Sequence, residues 1–374
     1  MSLLKNKSIF ILFLIIVATN SLEGQSFTGV RPIGMGNAFV AVADDENTLY
    51  FNPAGLSRLK RAHTTVLLNA QGVFDQNSLD IYKFLRTERD NIENALSGLV
   101  IEDGDFDEKL NELSEIPGEG VLRYRLFESV RKNSGFGLHT ELFTRYTLNT
   151  LDTLRIPVST SIRSTFTFGY SKSLPYDNEN ATFAYGISFA YDVMHTLPDS
   201  TVIQSPEDYE NYFLFGKPDI PQVYKDSKLE QGLRINVGGL YRLPPYHVNI
   251  GVSVQNFITT TPMSHDSRMY TIGIAHRPLN FLEINFPKDL VLAMDYVDAF
   301  SDEKSFKDKL RLGMEIRIPV LSGRIGLRSG KVTYGASVNL GFIHIHYAYA
   351  SLFNDHFTFT NSSNQHFLEI RIGS

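Results

Sequence analysis

Residues 309–318 read Lys-Leu-Arg-Leu-Gly-Met-Glu-Ile-Arg-Ile, in which five apolar side chains alternate with four charged residues and a glycine. A period of two places each set on one face of a β-strand. Burying the charged face in a dry protein core would be costly. The pattern therefore predicts a strand whose apolar face meets lipid and whose charged face meets a watery or plugged lumen, as in a transmembrane β-barrel.

The same alternation recurs along the chain and is most regular in residues 181–194, where aromatic and branched side chains alternate with small or polar ones. Segments of about 9 to 11 residues match the length of a transmembrane strand. Over the whole chain, the pattern predicts fourteen strands at 63–74, 120–131, 136–148, 154–171, 181–194, 231–243, 247–257, 268–276, 289–298, 309–318, 323–329, 332–339, 342–351 and 365–373. We therefore predict an all-β protein, a transmembrane antiparallel β-barrel of about 14 strands.

The gaps between the predicted strands give the barrel an orientation. Those after the first, fifth, seventh, ninth and thirteenth strands are long, and those after the second, sixth, tenth and twelfth are tight. Outer-membrane barrels have short periplasmic turns and long extracellular loops, so both termini are expected on the periplasmic side. Two features run against this count: the gap 277–288 is long for a periplasmic turn, and residues 120–131 also fit a helix.

The composition and the first residues of the chain predict its cellular location. Lys5 and Lys7 precede an apolar run at 9–18, which is the layout of a secretory signal peptide, assigned here to residues 1–24. The chain has no cysteine, so disulfides and Cys-ligated metals are excluded, and its net charge of −6 favours no nucleic-acid partner. A mean hydropathy of −0.12 with 12% aromatic residues fits a polar-lined barrel in contact with lipid. We expect an exported protein of the outer membrane of a Gram-negative-type envelope.

The segment 25–62, between the signal sequence and the barrel domain 63–374, has its own pattern. It carries Gly34-Met-Gly-Asn-Ala-Phe-Val-Ala-Val-Ala-Asp-Asp45 and then Asn52-Pro-Ala-Gly-Leu56. The spacing predicts a short helix with an apolar face made of Met35, Ala38, Phe39 and Val42. A helix this short is marginal alone, so its apolar face needs a larger surface, which the barrel lumen supplies.

Two predicted extracellular insertions, 76–119 and 195–230, carry apolar groups. The first has a helical pattern with Phe84 and Leu85 on its apolar side, which is suited to a partly helical cap over the barrel mouth. The second contains an apolar cluster in a segment that should be exposed, formed by Tyr212, Phe213 and Phe215. Such a cluster needs a partner, either the neighbouring loop or an apolar ligand.

The amino-terminal motifs resemble the hatch of FadL-type outer-membrane transporters and of their PorV-like relatives. The carboxy-terminal stretches Leu321–Gly341, Phe342–Ala350 and Gln365–Ile372 resemble the last four strands of those relatives. The resemblance implies a 14-stranded barrel with the amino-terminal segment folded into its lumen as a plug. It implies transport of hydrophobic compounds such as fatty acids, or, from the PorV-like side, attachment or shuttling in protein secretion. The apolar outer loops favour transport, whereas the similarity of the last four strands to the PorV-like group favours secretion; we adopt transport as the prediction.

Three groups of residues are assigned on this basis. We predict that an apolar solute is captured by the two loop clusters, and that it then passes the segment at Met35, Phe39, Val42, Asn52 and Pro53. Asp44 and Asp45 are predicted to hold the segment through lumenal arginines such as Arg234, Arg311 and Arg317. Simple turn formation at Asn52-Pro53 and plain solvation of the two aspartates are the alternatives.

Catalysis and cofactors are not expected. His344 and His346 have the spacing of two metal ligands on one strand face, but metal sites use three or four protein ligands, so hydrogen bonding in the lumen is the preferred interpretation. The chain has no Gly-x-Ser-x-Gly, His-Glu-x-x-His or phosphate-loop motif. The expected partners are a hydrophobic small molecule or lipid and the outer-membrane lipids, with secretion machinery under the alternative.

Overall fold

The computed structural model describes most of the chain after the predicted signal peptide. The described residues are 29–59, 62–99, 101, 104–114, 118–146, 148, 156–175, 181–196, 201–203, 205–209, 228–260, 268–281, 289–300, 304–351 and 364–373. The predicted signal peptide at 1–24 and the apolar cluster at 212–215 lie outside them.

Fourteen antiparallel strands form a closed barrel, as the alternation predicts. Each strand pairs with the next one along the chain, and the last pairs with the first, so that Gln71 faces Glu369 and the barrel closes. The strands are β1 His63–Asp75, β2 Gly118–Arg131, β3 Ser134–Tyr146, β4 Ile156–Pro175, β5 Thr182–Thr196, β6 Lys228–Leu243, β7 Val248–Thr259, β8 Met269–His276, β9 Asp289–Val297, β10 Leu310–Arg317, β11 Leu321–Arg328, β12 Lys331–Asn339, β13 Ile343–Ser351 and β14 Asn364–Gly373. A three-residue strand, Thr201–Ile203, adds to the end of β4.

All fourteen predicted strands are present, and the largest difference in their bounds is four residues, at the end of β4 (175 against 171). The segment that also fitted a helix, 120–131, is strand β2. The long gap after β8 begins with a helical turn at Pro278–Phe281. Sequence alternation locates these strands well because lipid on one side and water on the other impose a strict period of two.

The two faces of the wall differ sharply in polarity. On β4, Phe166, Phe168 and Tyr170 point outward and are 49%, 43% and 47% exposed, whereas Thr165 and Thr167 point inward and are 1% exposed. Among the other described outward-facing side chains of the wall, most of the large ones are likewise apolar, and the buried inner faces carry arginine, aspartate, glutamate and asparagine. An apolar outer surface around a polar interior is the arrangement of a transmembrane β-barrel. Within the described part of the chain, no helix is long and apolar enough to cross a membrane.

Helices cluster in the insertion after β1. Numbered in chain order, the helices are α1 Val30–Gly34, α2 Thr48–Phe51, α3 Gln76–Thr87, α4 Arg89–Leu96, α5 Gly104–Ser114, α6 Pro206–Tyr209, α7 Pro278–Phe281 and α8 Phe306–Lys309, with 3-10 turns at Pro53–Arg58 and Pro244–Tyr246. Helices α3, α4 and α5 share one closed apolar cluster that includes Phe84, Leu85 and Phe106. The apolar faces of these three helices are therefore buried against one another.

The amino-terminal segment, residues 29–59, lies inside the barrel wall but is not helical where the sequence predicts a helix. Residues 35–43 form turns, and Gly36 and Asn37 have left-handed backbone angles (φ 63° and 59°). The prediction of a helix over Met35 to Val42 is therefore wrong. Side chains of the wall accept hydrogen bonds from backbone N–H groups of this stretch. These N–H groups therefore do not need the hydrogen bonds of a helix.

Candidate functional site

The backbone of the amino-terminal segment is hydrogen-bonded to inward-facing side chains of the wall. The N–H groups of Phe39 and Val40 both donate to one carboxylate oxygen of Asp295 on β9, at 2.7 and 2.9 Å. The N–H of Gly36 donates to the hydroxyl of Thr333 on β12, at 3.0 Å. Buried backbone groups must find partners, and here the barrel wall supplies them in place of regular secondary structure.

Glycines on the inner face of the wall let the segment approach closely. A Cβ atom on Gly186 of β5 would lie 2.4 Å from the carbonyl carbon of Pro53, and one on Gly251 of β7 would lie 2.6 Å from the carbonyl oxygen of Val40. On the other side of the barrel, a Cβ on Gly326 of β11 would lie 2.3 Å from the backbone nitrogen of Gly36. Segment and wall therefore fit backbone against backbone on opposite sides of the lumen.

An apolar cluster joins the segment to the wall at β8 and β9. Phe39 and Phe51 meet edge to face with ring centroids 5.3 Å apart. Around them lie Met35 and Val42 of the segment and Ala275, Val291 and Ala293 of the wall. Met35, Phe39 and Val42 have no exposed surface. In this state the predicted solute path is thus occupied by tightly packed side chains.

Arg31 is the centre of a buried ion network between the segment and β10. Its guanidinium donates to Asp44 at 2.7 Å and to Asp45 at 2.6 Å within the segment, and to Glu315 of β10 at 2.8 Å. Glu315 has no exposed side-chain surface and also accepts from Arg317 and Arg324, at 2.6 and 2.7 Å. One carboxylate of the wall therefore contacts three arginines, two of which also pair with aspartates.

A second group of ion pairs holds the segment on the side of β2 and β14. Glu46 pairs with Arg371 of β14 at 2.7 Å. The hydroxyl of Tyr50 donates to Glu128 of β2 at 3.0 Å, and Glu128 also pairs with Arg125 at 2.9 Å. The acidic run at 44–46 thus divides its contacts between two sides of the barrel.

Burial and neighbouring charges give adjacent aspartates opposite pKa shifts. Burial alone would raise the pKa of Asp44, but Arg31 and Arg277 outweigh it, and the pKa lies well below its ordinary value. At Asp45, burial and the neighbouring carboxylate of Glu46 outweigh Arg31 and raise the pKa to about 6. Asp44 is therefore the ionised anchor, whereas Asp45 bears the cost of a buried charge at neutral pH.

The structure places the predicted anchoring residues in different contacts. Arg317 approaches Asp44 at 3.6 Å. Arg311 lies opposite Asp295 in the register between β9 and β10. Arg234 pairs instead with Asp192 of β5 at 2.5 Å. That correction follows from charge neutrality, because an inward-facing carboxylate on the neighbouring strand is the nearer partner.

Four further residues of the predicted solute path and capture site lie in the described part of the chain. Asn52 caps the following 3-10 turn by accepting the N–H of Ala54 at 3.1 Å, and its amide donates to the carbonyl of Gly239 on β6 at 3.1 Å. Pro53 is buried at the start of that turn. Phe84 and Leu85 pack inside the cluster of α3, α4 and α5 rather than around an open space.

Sequence analysis did not single out several residues that hold the segment, among them Arg31, Arg277, Asp295 and Glu315. A signal was present for three of these four. Arg31 is the sole charged residue between 29 and 43, and alternation already places Glu315 on the inner face of β10 and Asp295 on that of β9. Arg277 carried no such signal, because it follows β8 and its role depends on which carboxylates it meets.

The raised pKa of Asp45 predicts a pH dependence of stability. Its folded-state pKa of about 6 lies above an unfolded value of about 3.9, so the folded protein takes up a proton as the pH falls through 6. Between pH 7 and pH 5 this group should add about 1 kcal/mol to the free energy of unfolding. Urea unfolding at both pH values should show a gain that is about 1 kcal/mol larger in the wild type than in Asp45→Asn. An equal gain in both proteins would assign the proton uptake to another group.

Fold and site together define a transmembrane β-barrel whose lumen holds the protein's own amino-terminal segment. Comparisons with protein-family profiles and with curated proteins give no match.

Among solved structures, the chain is similar to FadL-type proteins at low sequence identity. The P. putida toluene transporter TodX is 11% identical with a TM-score of 0.40, covering 88% of this chain and 94% of that one. A Pseudomonas aeruginosa FadL homologue is 10% identical with a TM-score of 0.43, covering 94% and 99%. A TodX deltaS2S3 mutant, a monoaromatic hydrocarbon channel, is 11% identical with a TM-score of 0.48, covering 94% and 100%. Likenesses of this size concern the fold alone and assign neither a substrate nor a partner to this chain.

Proposed function

We propose that this protein is an outer-membrane barrel that moves hydrophobic small molecules, and that residues 29–59 are a plug that closes its lumen. The domain division at 62 and 63 follows from the same proposal, with the plug before it and the barrel after it. No chemical reaction is assigned to the protein.

The observation that carries the proposal is contact between the segment and the wall on opposite sides of the barrel. Leu49 lies against Gly169 of β4, Asn52 against Gly238 of β6, and Met35 against Gly313 of β10. A barrel lumen filled in this way is closed to solutes. Movement of a solute through the barrel therefore requires the segment to shift.

The character of the segment favours an apolar solute. Elsewhere in the described lumen, charged groups such as Arg163 and Asp192 line the wall. At Ala275 of β8 and at Val291 and Ala293 of β9 the wall is instead apolar and packs with Phe39 and Phe51, beside the buried carboxylate of Asp295. Movement of the segment would expose this apolar surface to a passing solute. A hydrophobic molecule gains free energy from such a surface and a hydrated ion does not.

A disulfide between segment and wall tests the proposal. Ala54 of the segment and Ala184 of β5 pack together in one buried cluster with Leu240, and the chain has no cysteine of its own. We expect the double variant Ala54→Cys, Ala184→Cys to lose uptake of a radiolabelled long-chain fatty acid into proteoliposomes when oxidised, and to regain it after reduction. Formation of the disulfide is followed by mass spectrometry.

The single variant Ala184→Cys is the matched control, because it carries the same wall substitution without the cross-link. Its uptake should not respond to oxidation. Undiminished uptake by the fully cross-linked protein would show that the segment does not need to move. Absence of saturable uptake by the wild type, with fatty acid and with toluene, would refute transport itself.

The alternative function is attachment or shuttling in protein secretion, for which the barrel would stay sealed. The contacts around the segment are close and rich in buried ion pairs, as expected of a permanent seal. Under this alternative the exposed rim would bind a partner protein. Co-purification of a large barrel or of exported cargo with the full-length protein, without fatty-acid uptake, would favour it.

A further inference from the structure

A polar cavity of about 420 Å³ opens where the tight turns of the barrel lie, and arginines from three separate elements line it. Arg58 ends the 3-10 turn of the amino-terminal segment, Arg242 lies near the end of β6, and Arg277 follows β8. His63, His247, Asn249 and Asn280 complete the polar lining, with Asp44 as the acidic residue. By the orientation predicted from loop lengths, this is the periplasmic mouth.

The positive charge of this cavity is not balanced by the residues around it. Arg277 pairs with Asp44 and Asp289. No carboxylate of the described residues forms an ion pair with Arg58 or Arg242. Arg58 donates instead to the neutral carbonyls of Ala41 and Val42, at 3.3 and 3.0 Å.

Arg242 carries an unsatisfied donor, since its buried Nε has no hydrogen-bond partner. Burial and the nearby Arg242 outweigh the attraction of Asp44 and lower the pKa of Arg58 to about 9, the direction expected for a buried guanidinium that is not paired with a carboxylate. Cationic donors without a carboxylate partner in a partly buried cavity are the groups that bind oxyanions.

We propose that this cavity binds a phosphoryl group, held mainly by Arg58 and Arg242. Inorganic phosphate and phosphomonoesters have several oxygens and a charge of about −1.5 to −2 at neutral pH, so they match two guanidinium forks from different elements better than a single carboxylate does. The donors of Arg277 stay on Asp44 and Asp289. The source is either inorganic phosphate or the phosphomonoester headgroup of a membrane lipid.

The site joins the segment to the wall, because one arginine belongs to each. A bound phosphoryl group would therefore bridge Arg58 of the segment and Arg242 of β6. The inference goes beyond the proposed transport, and its binding test does not depend on uptake, so either can fail while the other stands.

Calorimetric titration of the full-length protein in detergent, in a phosphate-free buffer, tests the site. We expect saturable binding of inorganic phosphate, weakened about tenfold or more in Arg58→Gln and in Arg242→Gln. Arg131→Gln is the matched control, because Arg131 is an exposed arginine of β2 beside a tight turn. Its affinity should equal that of the wild type. Heat-shifted migration on gels confirms that each variant is folded.

Titration with short-chain phosphatidic acid separates the two sources. Tighter binding of the lipid than of phosphate, abolished by the same two variants, assigns the site to a headgroup, and equal binding assigns it to the free ion. Absence of saturation with both probes would overturn the inference. So would an equal loss of affinity in Arg131→Gln, because the effect would then reflect overall charge.

Discussion

Replacing Glu315 with glutamine is expected to lower the free energy of unfolding by about 3–5 kcal/mol, because it leaves the buried Arg324 without its carboxylate partner. Glu315 has no exposed side-chain surface and contacts Arg31, Arg317 and Arg324. Glutamine keeps the shape and one acceptor oxygen but removes the charge. Asp44 and Asp45 remain beside Arg31, but Arg324 loses its carboxylate partner.

The loss of stability in Glu315→Gln should appear in two measurements on the purified protein. The urea midpoint should fall, and trypsin should cleave faster after Arg58, because Arg31 is the link from the segment to β10. Glu93→Gln is the matched control. Its partner Arg89 lies 2.7 Å away on the exposed face of α4, and pairs of this kind contribute about 0.5 kcal/mol or less. Equal midpoints for the two variants would show that the buried network does not stabilise the fold.

The limits of sequence analysis follow from what each pattern encodes. Alternation reports which face of a strand meets lipid, so the bounds of β8 and the inner position of Glu315 could be predicted. Helical spacing at Met35 to Val42 reports an apolar face, but it does not report what satisfies the backbone. Asp295 lies more than 250 positions away along the chain, and it takes the N–H groups that a helix would have used.

The individual ion pairs could likewise not be predicted from the sequence. Both the charged inner faces and the acidic run at 44–46 are visible in the sequence, and they predict that aspartates meet lumenal arginines. Which arginine meets which aspartate depends on the stagger of the strands. Arg234 therefore pairs with Asp192, while Asp44 meets Arg277, which lies just beyond the end of β8.

The largest expected effect on permeability comes from one wall glycine. A Cβ on Gly326 would lie 2.3 Å from the backbone nitrogen of Gly36 and 2.4 Å from the carbonyl carbon of Met35. Backbone atoms cannot rotate away as a flexible side chain does. Valine suits a strand, so Gly326→Val should leave the wall paired and displace the segment. Under the plug proposal, the barrel then opens.

We expect Gly326→Val to raise the rate of sugar-driven swelling of proteoliposomes several-fold over the wild type, with heat-shifted migration on gels retained. Gly323 lies three residues earlier on the same strand and is exposed, and a Cβ there meets no atom within 4 Å. Gly323→Val should therefore swell at the wild-type rate, which separates the effect of the segment from that of a bulkier strand. A folded Gly326→Val protein that stays impermeable would mean that the lumen is closed without the contact at Gly36, and the plug would have to be sought elsewhere in the chain.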